Sequence, residues 1–213
     1  MSVIVSGVLA PPSSFILAIY SNRLIRVQEQ LHALATTDSL TGLLNRRAFT
    51  DAFERETARA ARTNAPISIV LLDLDHFKKI NNVHGHAGGD IALRNIAERL
   101  RTTIRFGTDE IARWGGEEFA IMLTQTNRDS AVRAALRLRS RLQSLNIDFA
   151  DRSISVTASF GVVECAPGEQ LEDAVMRADK CLRQAKRKGR DCVVAYTDKS
   201  TKAVVAGPQT AAA

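Results

Sequence analysis

Ile111-Ala-Arg-Trp-Gly-Gly-Glu-Glu-Phe-Ala-Ile-Met-Leu123 consists of two apolar runs, Ile111 to Trp114 and Phe119 to Leu123, joined by Gly115-Gly116-Glu117-Glu118. Short apolar runs joined by a glycine-bearing turn signal a β-hairpin. Upstream, Ile67 to Leu74 is a nearly continuous run of Ile, Val and Leu. An unbroken apolar run of that length fits a strand buried on both faces at the centre of a sheet. Asp73 and Asp75 stand at the end of this run, where α/β sheets place ligands. Two residues apart in a strand they share a face, but the strand ends here and only Asp73 is sure to lie beside the apolar stretch.

Helices and strands follow on either side. Asn45 to Arg62 reads as a helix with Ala48, Phe49, Ala52, Phe53 and Glu56 at helical offsets. After Gly88-Gly89, a helix is expected from about Ile91 to Ile104, with Leu93, Ile96, Ala97, Leu100 and Ile104 on one face and Asp90 as its N-cap. Asp129 to Leu145 and Gln170 to Lys188 read as helices, the second ended by Gly189. Ile154 to Phe160 alternates apolar residues with Ser and Thr and reads as one half-exposed strand, and Cys192 to Tyr196 as a last short strand. The expected fold class is α/β of the α+β type, a central mixed sheet flanked by helices and preceded by a helical stalk. The domain is expected over 38–197.

The termini read differently. Residues 3–20 carry no charge and are broken by Pro11-Pro12-Ser13-Ser14, with Arg23 and Arg26 following. Three readings stand for residues 1–20: a membrane segment of borderline length, a buried apolar arm, or a piece of a longer sensor region. Leu24, Val27, Leu31 and Leu34 fall at heptad spacing within 21–37, either as a stalk pairing two copies or as one amphipathic helix on its own domain. Residues 198–213 are small and polar, with a closing alanine run, and are expected to be a disordered tail. The formal charge of +6 admits nucleic acid, an anionic surface or a phosphorylated ligand as partner. Cys165, Cys181 and Cys192 lack metal-type spacing and a disulfide framework. They read as core residues of a reducing, cytoplasmic compartment.

A lone carboxylate at a loop end is ordinarily just solvated. Two acidic clusters on neighbouring strands, one beside a double glycine, make an oxygen-rich site for Mg²⁺, which prefers carboxylates, water and phosphate oxygens. Such an ion gathers a triphosphate and activates a hydroxyl. Lys186, Arg187, Lys188 and Arg190 around Gly189 suit a triphosphate tail, and equally the negative end of a helix. His84, His86 and Asp90 lack HxxxH spacing or a cysteine partner, and a carboxylate such as Asp90 matches the two donors of a guanine edge.

On these residues the sequence resembles the GGDEF domain of diguanylate cyclases. Five blocks from about Asp38 to Tyr196 carry the resemblance: Asp38-Ser-Leu-Thr-Gly-Leu-Leu-Asn-Arg-Arg47, Asp73-Leu-Asp-His-Phe-Lys78 with Asn81, Gly85-His86 with Gly89-Asp90, Arg113-Trp-Gly-Gly-Glu-Glu-Phe119, and Ser159-Phe-Gly161 continued by Ala178-Asp179, Ala185-Lys186 and Gly189-Arg190. The resemblance implies a palm-like fold. It implies that Asp73, the Leu74 carbonyl and Glu117 hold Mg²⁺, or Mn²⁺ in its place, with Glu118 as a further ligand. It also implies Glu117 as the base that deprotonates a ribose 3′-hydroxyl. Asn81, His86 and Asp90 would contact guanine and ribose, and Lys78, Lys186 and Arg190 the phosphates. The implied reaction joins two GTP into cyclic di-GMP across a homodimer, with no nucleic acid partner and with the catalytic part in the cytoplasm, anchored at the inner membrane if residues 1–20 span it. The alternative is an inactive receptor for GTP or cyclic di-GMP. Two departures stand out. Asn82 replaces a common Asp. The inhibitory Arg-x-x-Asp motif would fall on Phe106 and Asp109, where Phe106 lacks a guanidinium and Arg105 is one residue out of place. Product inhibition through that site is therefore not expected.

Overall fold

Every residue of strand β1, Ser68–Leu74, is buried, which is why its sequence is a continuous apolar run rather than an alternation. The structure, a computed structural model, describes residues 17, 19–21, 23, 36–105, 107–150 and 152–197. The chain divides into two units, 1–36 and 37–213. In the second unit, β1 lies at the centre of a five-stranded sheet of order β2-β3-β1-β6-β7, with β2 at Glu110–Gly115, β3 at Glu118–Leu123, β6 at Ala158–Glu164 and β7 at Val193–Ala195. β1 runs antiparallel to both β3 and β6, whereas β7 is parallel to β6. The sheet is thus mixed, as expected.

Helices cover both faces. On one face Ile69 and Leu71 of β1, with Ala120, Met122 and Val163, pack against Phe49 and Phe53 of α1 (Arg46–Thr63) and Ala174, Ala178 and Leu182 of α4 (Leu171–Arg187). On the other, Val70, Leu72 and Leu74, with Phe119, Ile121 and Phe160, pack against Leu93, Ile96 and Leu100 of α2 (Phe77–Thr103) and Ala135 and Leu138 of α3 (Arg128–Gln143). This division follows the period-two alternation of a strand. Asparagines start two of the helices: Asn45 accepts from the Ala48 amide at 2.9 Å and Asn127 from the Ser130 amide at 3.0 Å.

Two expectations are corrected. Residues 154–160 are two strands rather than one. β5, Arg152–Ser155, pairs with β4, Asn146–Phe149, in a separate ribbon, and β6 begins at Ala158. The chain parts at Thr157, whose carbonyl accepts from the Asp75 amide at 2.8 Å. β6 is buried up to its last residue because β1 and β7 flank it and helices cover it. Asp90 is not an N-cap. The helix runs through it as part of α2, and the break lies earlier, at Gly85, with φ 70° and ψ 173°.

The expectations for residues 1–16, for the 24–34 leucine stripe and for 198–213 fall outside the described residues. Among the described residues no helix is long and apolar enough to cross a membrane. Burial pushes the Cys165 thiol up to about 12 and the Cys181 thiol up to about 11, so neither is a ready thiolate.

Candidate active site

The end of β1 places Asp73 directly opposite Glu118 of β3 and Ser159 of β6. Residues paired across antiparallel strands point to the same face, so the two carboxyl side chains share the face covered by α1 and α4. The hairpin between β2 and β3 is bent over this end. The register shifts between Arg113 and Gly115, and Gly116 turns with φ 29°, a conformation that glycine adopts without strain. The Leu74 amide donates to the Glu117 carbonyl at 3.3 Å, which draws the turn against the strand end where Leu74 lies.

Arg113 fastens the same turn from outside. Its Nε donates to the Gly116 carbonyl at 2.9 Å, and its Nη1 donates to both carboxylate oxygens of Asp38 at 3.2 Å. Asp38 also accepts from the Thr41 amide at 2.9 Å and the Thr41 hydroxyl at 2.7 Å. The Asp38-Ser-Leu-Thr block is therefore a bracket for the hairpin, a role the sequence did not disclose.

Lys186, in the last turn of α4, brings its Nζ to 2.6 Å from Asp73 Oδ2. Its approach depends on Gly161. A β-carbon there would stand 2.1 Å from the Ala178 carbonyl oxygen and 2.7 Å from the Leu182 amide. Only a glycine lets the helix backbone lie this close to β6, and that contact sets where the helix end reaches.

Burial raises the Asp73 carboxyl above its ordinary range, opposed by Lys186 and Arg190 and reinforced by Asp75. Burial also raises Glu118, and the charge of Asp73 adds to the effect. Of the two carboxylates on this face, Asp73 is ion-paired with Lys186 and Glu118 has no ion-pair partner among the described residues. Such a hard-oxygen set fits a divalent cation. Among the described residues, no three His, Cys, Asp or Glu side chains converge as a metal cluster, so a backbone oxygen such as that of Leu74 would have to complete the donors. Asp75, in contrast, is spent. It is buried and accepts from Thr157 Oγ1 at 3.0 Å, Ser159 Oγ at 2.7 Å and the Asp191 amide at 3.0 Å.

On the opposite face α2 folds back on itself at Gly85. A β-carbon on Gly89 would meet Asn81 Oδ1 at 2.0 Å, and one on Gly88 would meet His84 Cβ at 2.5 Å. The two glycines let the first turns of α2 lie on the segment leading to Asp90, which brings Asn81 beside Gly89-Asp90. His86 and Lys78 are exposed. The side chains of Lys78, Asn81, His86, Asp90, Glu117, Glu118 and Arg190 make no hydrogen bond or ion pair within the described part of the chain. They are unspent polar groups around one end of the sheet. A cleft of about 340 Å³ lined by Thr57, Asn64, Ile67, Glu164 and Cys165 lies at the other end, where β1 begins and β6 ends, away from these carboxylates.

Asp109 has a clear structural position. Its side chain is 2% exposed and accepts from the Arg105 amide at 3.2 Å, from Arg105 Nε at 3.0 Å, from Arg105 Nη2 at 2.7 Å and from the Thr124 amide at 3.2 Å. Arg105 Nη2 further donates to the Thr124 carbonyl at 2.6 Å. The pair closes the loop that leads into β2. Phe106 lies outside the described residues.

Residues 35–192 match the family model described as "Diguanylate cyclase, GGDEF domain". The chain belongs to the GGDEF domain family. The GGDEF domain here is 41% identical over 157 residues to the diguanylate cyclase DgcP of Pseudomonas aeruginosa, covering 74% of this chain and 23% of that protein. It is 40% identical over 164 residues to the response regulator PleD of Caulobacter vibrioides, covering 76% of this chain and 36% of that protein. The chain thus spans about a quarter to a third of these relatives. Among solved structures, the GGDEF domain of DgcB from Caulobacter crescentus in complex with c-di-GMP is similar with a TM-score of 0.71 and 34% identity, covering 76% of this chain and 95% of that one. The diguanylate cyclase SiaD of Pseudomonas aeruginosa, solved with its activator SiaC, gives a TM-score of 0.73 at 35% identity, covering 86% of this chain and 70% of that one.

Proposed function

We propose that this GGDEF domain is a diguanylate cyclase, which condenses two GTP into cyclic di-GMP and two pyrophosphates. The observation that carries the reading is the pair of unspent glutamates on a turn bent over a strand end whose Asp73 already holds a cation. The inactive-receptor alternative finds no support in a site that keeps Asp73, Glu117 and Glu118. The relatives' names and the DgcB complex with c-di-GMP favour the same ligand class.

In this mechanism Asn81 and Asp90 receive the guanine, with Asp90 accepting from its ring N–H and amino group. His86 contacts the nucleoside. Lys78, Lys186 and Arg190 balance the triphosphate charge. Mg²⁺ or Mn²⁺ held by Asp73, the Leu74 carbonyl and Glu117, with Glu118 beside them, supplies Lewis acidity when bound. Glu117 takes the proton of the 3′-hydroxyl as that oxygen bonds to the α-phosphorus of a second GTP and the bond to the bridging oxygen of pyrophosphate breaks. One domain presents one guanine site and one carboxylate pair. Two protomers facing each other bring each 3′-hydroxyl to the other's α-phosphate. The free thiols fit a reducing, cytoplasmic setting.

The test is to incubate the purified chain with GTP and MgCl₂, with and without EDTA, and to separate the products by chromatography. Cyclic di-GMP with twice its amount of pyrophosphate, abolished by EDTA, is expected. Intact GTP from a folded chain that binds the nucleotide would leave the receptor reading standing instead.

A further inference from the structure

The segment Gly189-Arg190-Asp191 joins the phosphate-facing end of α4 to β7. All three residues adopt left-handed backbone, with φ of 106°, 66° and 44°. Glycine does so freely, but Arg and Asp in succession do not. Such conformations persist where surrounding contacts over-determine them, and they cluster at functional sites.

Here the contacts are specific. The Asp191 amide donates to Asp75 Oδ2 at 3.0 Å, and the Asp75 carboxylate is itself fixed by Thr157 and Ser159 at the start of β6. From the other side Arg139, on α3, donates through Nε to the Asp191 carbonyl at 2.7 Å and to Asp191 Oδ1 at 2.9 Å, and through Nη2 to Oδ2 at 2.8 Å. Gln143, one turn further along α3, adds a bond to the same carboxylate. Arg139 and Asp191 are nearly buried, with side chains 12% and 17% exposed, where a bidentate guanidinium–carboxylate pair gives geometric definition. Between these anchors, the Arg190 amide donates to the Ala185 carbonyl at 3.1 Å, while its guanidinium is left unpaired. The positive charge of Arg190 works against the upward shift of the Asp73 carboxyl, and Lys186, in the last turn of α4, pairs with Asp73.

We propose that Asp75, Arg139 and Asp191 form a clamp that holds Arg190 in a strained backbone conformation, so that its guanidinium meets the triphosphate of the bound nucleotide. Asp75 and Arg139 are positioning residues. They act through Asp191 and Arg190, and neither touches the substrate. This explains why the second carboxylate of the Asp73-Leu-Asp75 run is spent on hydrogen bonds within the fold while the first faces the Lys186 ammonium. The inference rests on the cyclase reading, which assigns a guanosine triphosphate to the site.

The experiment measures binding of α,β-methylene-GTP, which cannot be cleaved at the α-phosphorus, and of guanosine, which has no phosphate. The full chain carries Arg139→Ala, Arg139→Lys, Arg190→Ala or the double substitution Arg139→Ala/Arg190→Ala. A partner that orients a contacting group typically changes affinity by roughly tenfold or more. Arg139→Ala is expected to raise the Kd for the triphosphate by about that factor and to leave guanosine unchanged. Arg190→Ala should do the same, the double variant should lose no more than Arg190→Ala alone, and Arg139→Lys should recover part of the loss. Equal weakening of guanosine, or additive losses in the double variant, overturns the clamp and makes the pair a general structural bond. If Arg139→Ala does not fold, Asp75→Asn, which keeps the shape and removes the charge, is read against the same two ligands with the same criteria. A wild-type chain that binds neither ligand refutes the cyclase reading and the clamp with it. A wild type that binds, with variants indistinguishable from it, refutes the clamp alone.

Discussion

Lys186 Nζ lies 2.6 Å from Asp73 Oδ2, so the buried carboxylate has a cation of its own before any metal arrives. The ammonium balances a charge that burial would otherwise penalise. Lys186→Met should lower the melting temperature of the metal-free chain at neutral pH, by roughly 2–4 °C for each kcal/mol lost in a chain of this size. Mg²⁺ should then raise the melting temperature of the variant more than that of the wild type, because it no longer competes with the ammonium. Equal Mg²⁺ shifts, read by calorimetry, would mean that the ion binds elsewhere.

Glu117→Ala should reduce cyclic di-GMP formation by about 10²- to 10⁴-fold, the usual contribution of a positioned proton acceptor. Its melting temperature should barely move, since the Glu117 side chain makes no internal bond and only its carbonyl is used. Turnover within a few-fold of wild type would remove Glu117 from the mechanism.

Two glycines should answer differently to alanine. In Gly161→Ala the new carbon meets main-chain atoms of α4 at 2.1 and 2.7 Å, which cannot rotate away. A loss of about 3 kcal/mol or more is expected in denaturant unfolding. In Gly89→Ala the contact at 2.0 Å is with the Asn81 side-chain oxygen, which can turn aside. Stability should fall less, while GTP affinity drops as Asn81 leaves its place. The opposite ranking would show that the helix–sheet approach is soft and the Asn81 position rigid.

These glycines also mark what the sequence could and could not reveal. β1 and the hairpin were legible because Ile67 to Leu74 and Ile111 to Leu123 follow the periods of buried strand and turn. Asp73, Glu118 and Lys186 were legible as charge beside that pattern, and the family motifs added Asn81 and Asp90. The fold-back of α2 was not legible. Gly88-Gly89 reads as the lead-in to a helix that starts after Asp90, yet here the glycines serve close packing inside a helix, and tertiary contact overrode local propensity. The separation of β4–β5 from β6 was equally hidden, since it depends on Asp75 capturing Thr157 from across the sheet. Nothing in the sequence marked Arg139 or Asp191, and Arg113 stood only as one residue of a family motif, until the fold gave each a partner.

Asp38 provides a pH test. Burial alone would raise its carboxyl, but the Thr41 hydroxyl and amide and the Arg113 guanidinium outweigh burial and hold it below the usual carboxylate value. Between the folded and the ordinary pKa the unfolded chain carries the extra proton, so stability rises with pH across that window. The contribution is fully present above the ordinary carboxylate range and is lost as pH falls through the depressed folded value. Asp38→Asn should cost roughly 1–3 kcal/mol near neutrality, and the difference from wild type should close on acidification. A difference unchanged down to strongly acid pH would mean that the charge contributes nothing.

Feedback by cyclic di-GMP should be weak at saturating GTP. Arg105 is committed to Asp109 and to the Thr124 carbonyl, so engaging a ligand would require breaking the bonds that close the loop before β2. Arg105→Ala should therefore lower stability without altering initial rates measured against added product. Strong inhibition that GTP cannot overcome, and that the substitution abolishes, would show that Arg105 leaves Asp109 for the ligand.

The bond between Asp75 and Asp191 joins positions 116 residues apart, and the central strand finds its partners in β3 and β6 rather than in a sequence neighbour. Long loops must close before such contacts form, which slows folding. The Gly189-Arg190-Asp191 segment reaches its place only after the chain has emerged as far as β7, the last strand in sequence. A nascent or truncated chain ending short of Cys192 would own the hairpin, Asp73 and the fold-back that sets Asn81 beside Asp90, yet have no fixed Arg190. Acquisition of triphosphate affinity during synthesis should accordingly be abrupt, arriving with the final strand rather than growing as each motif appears.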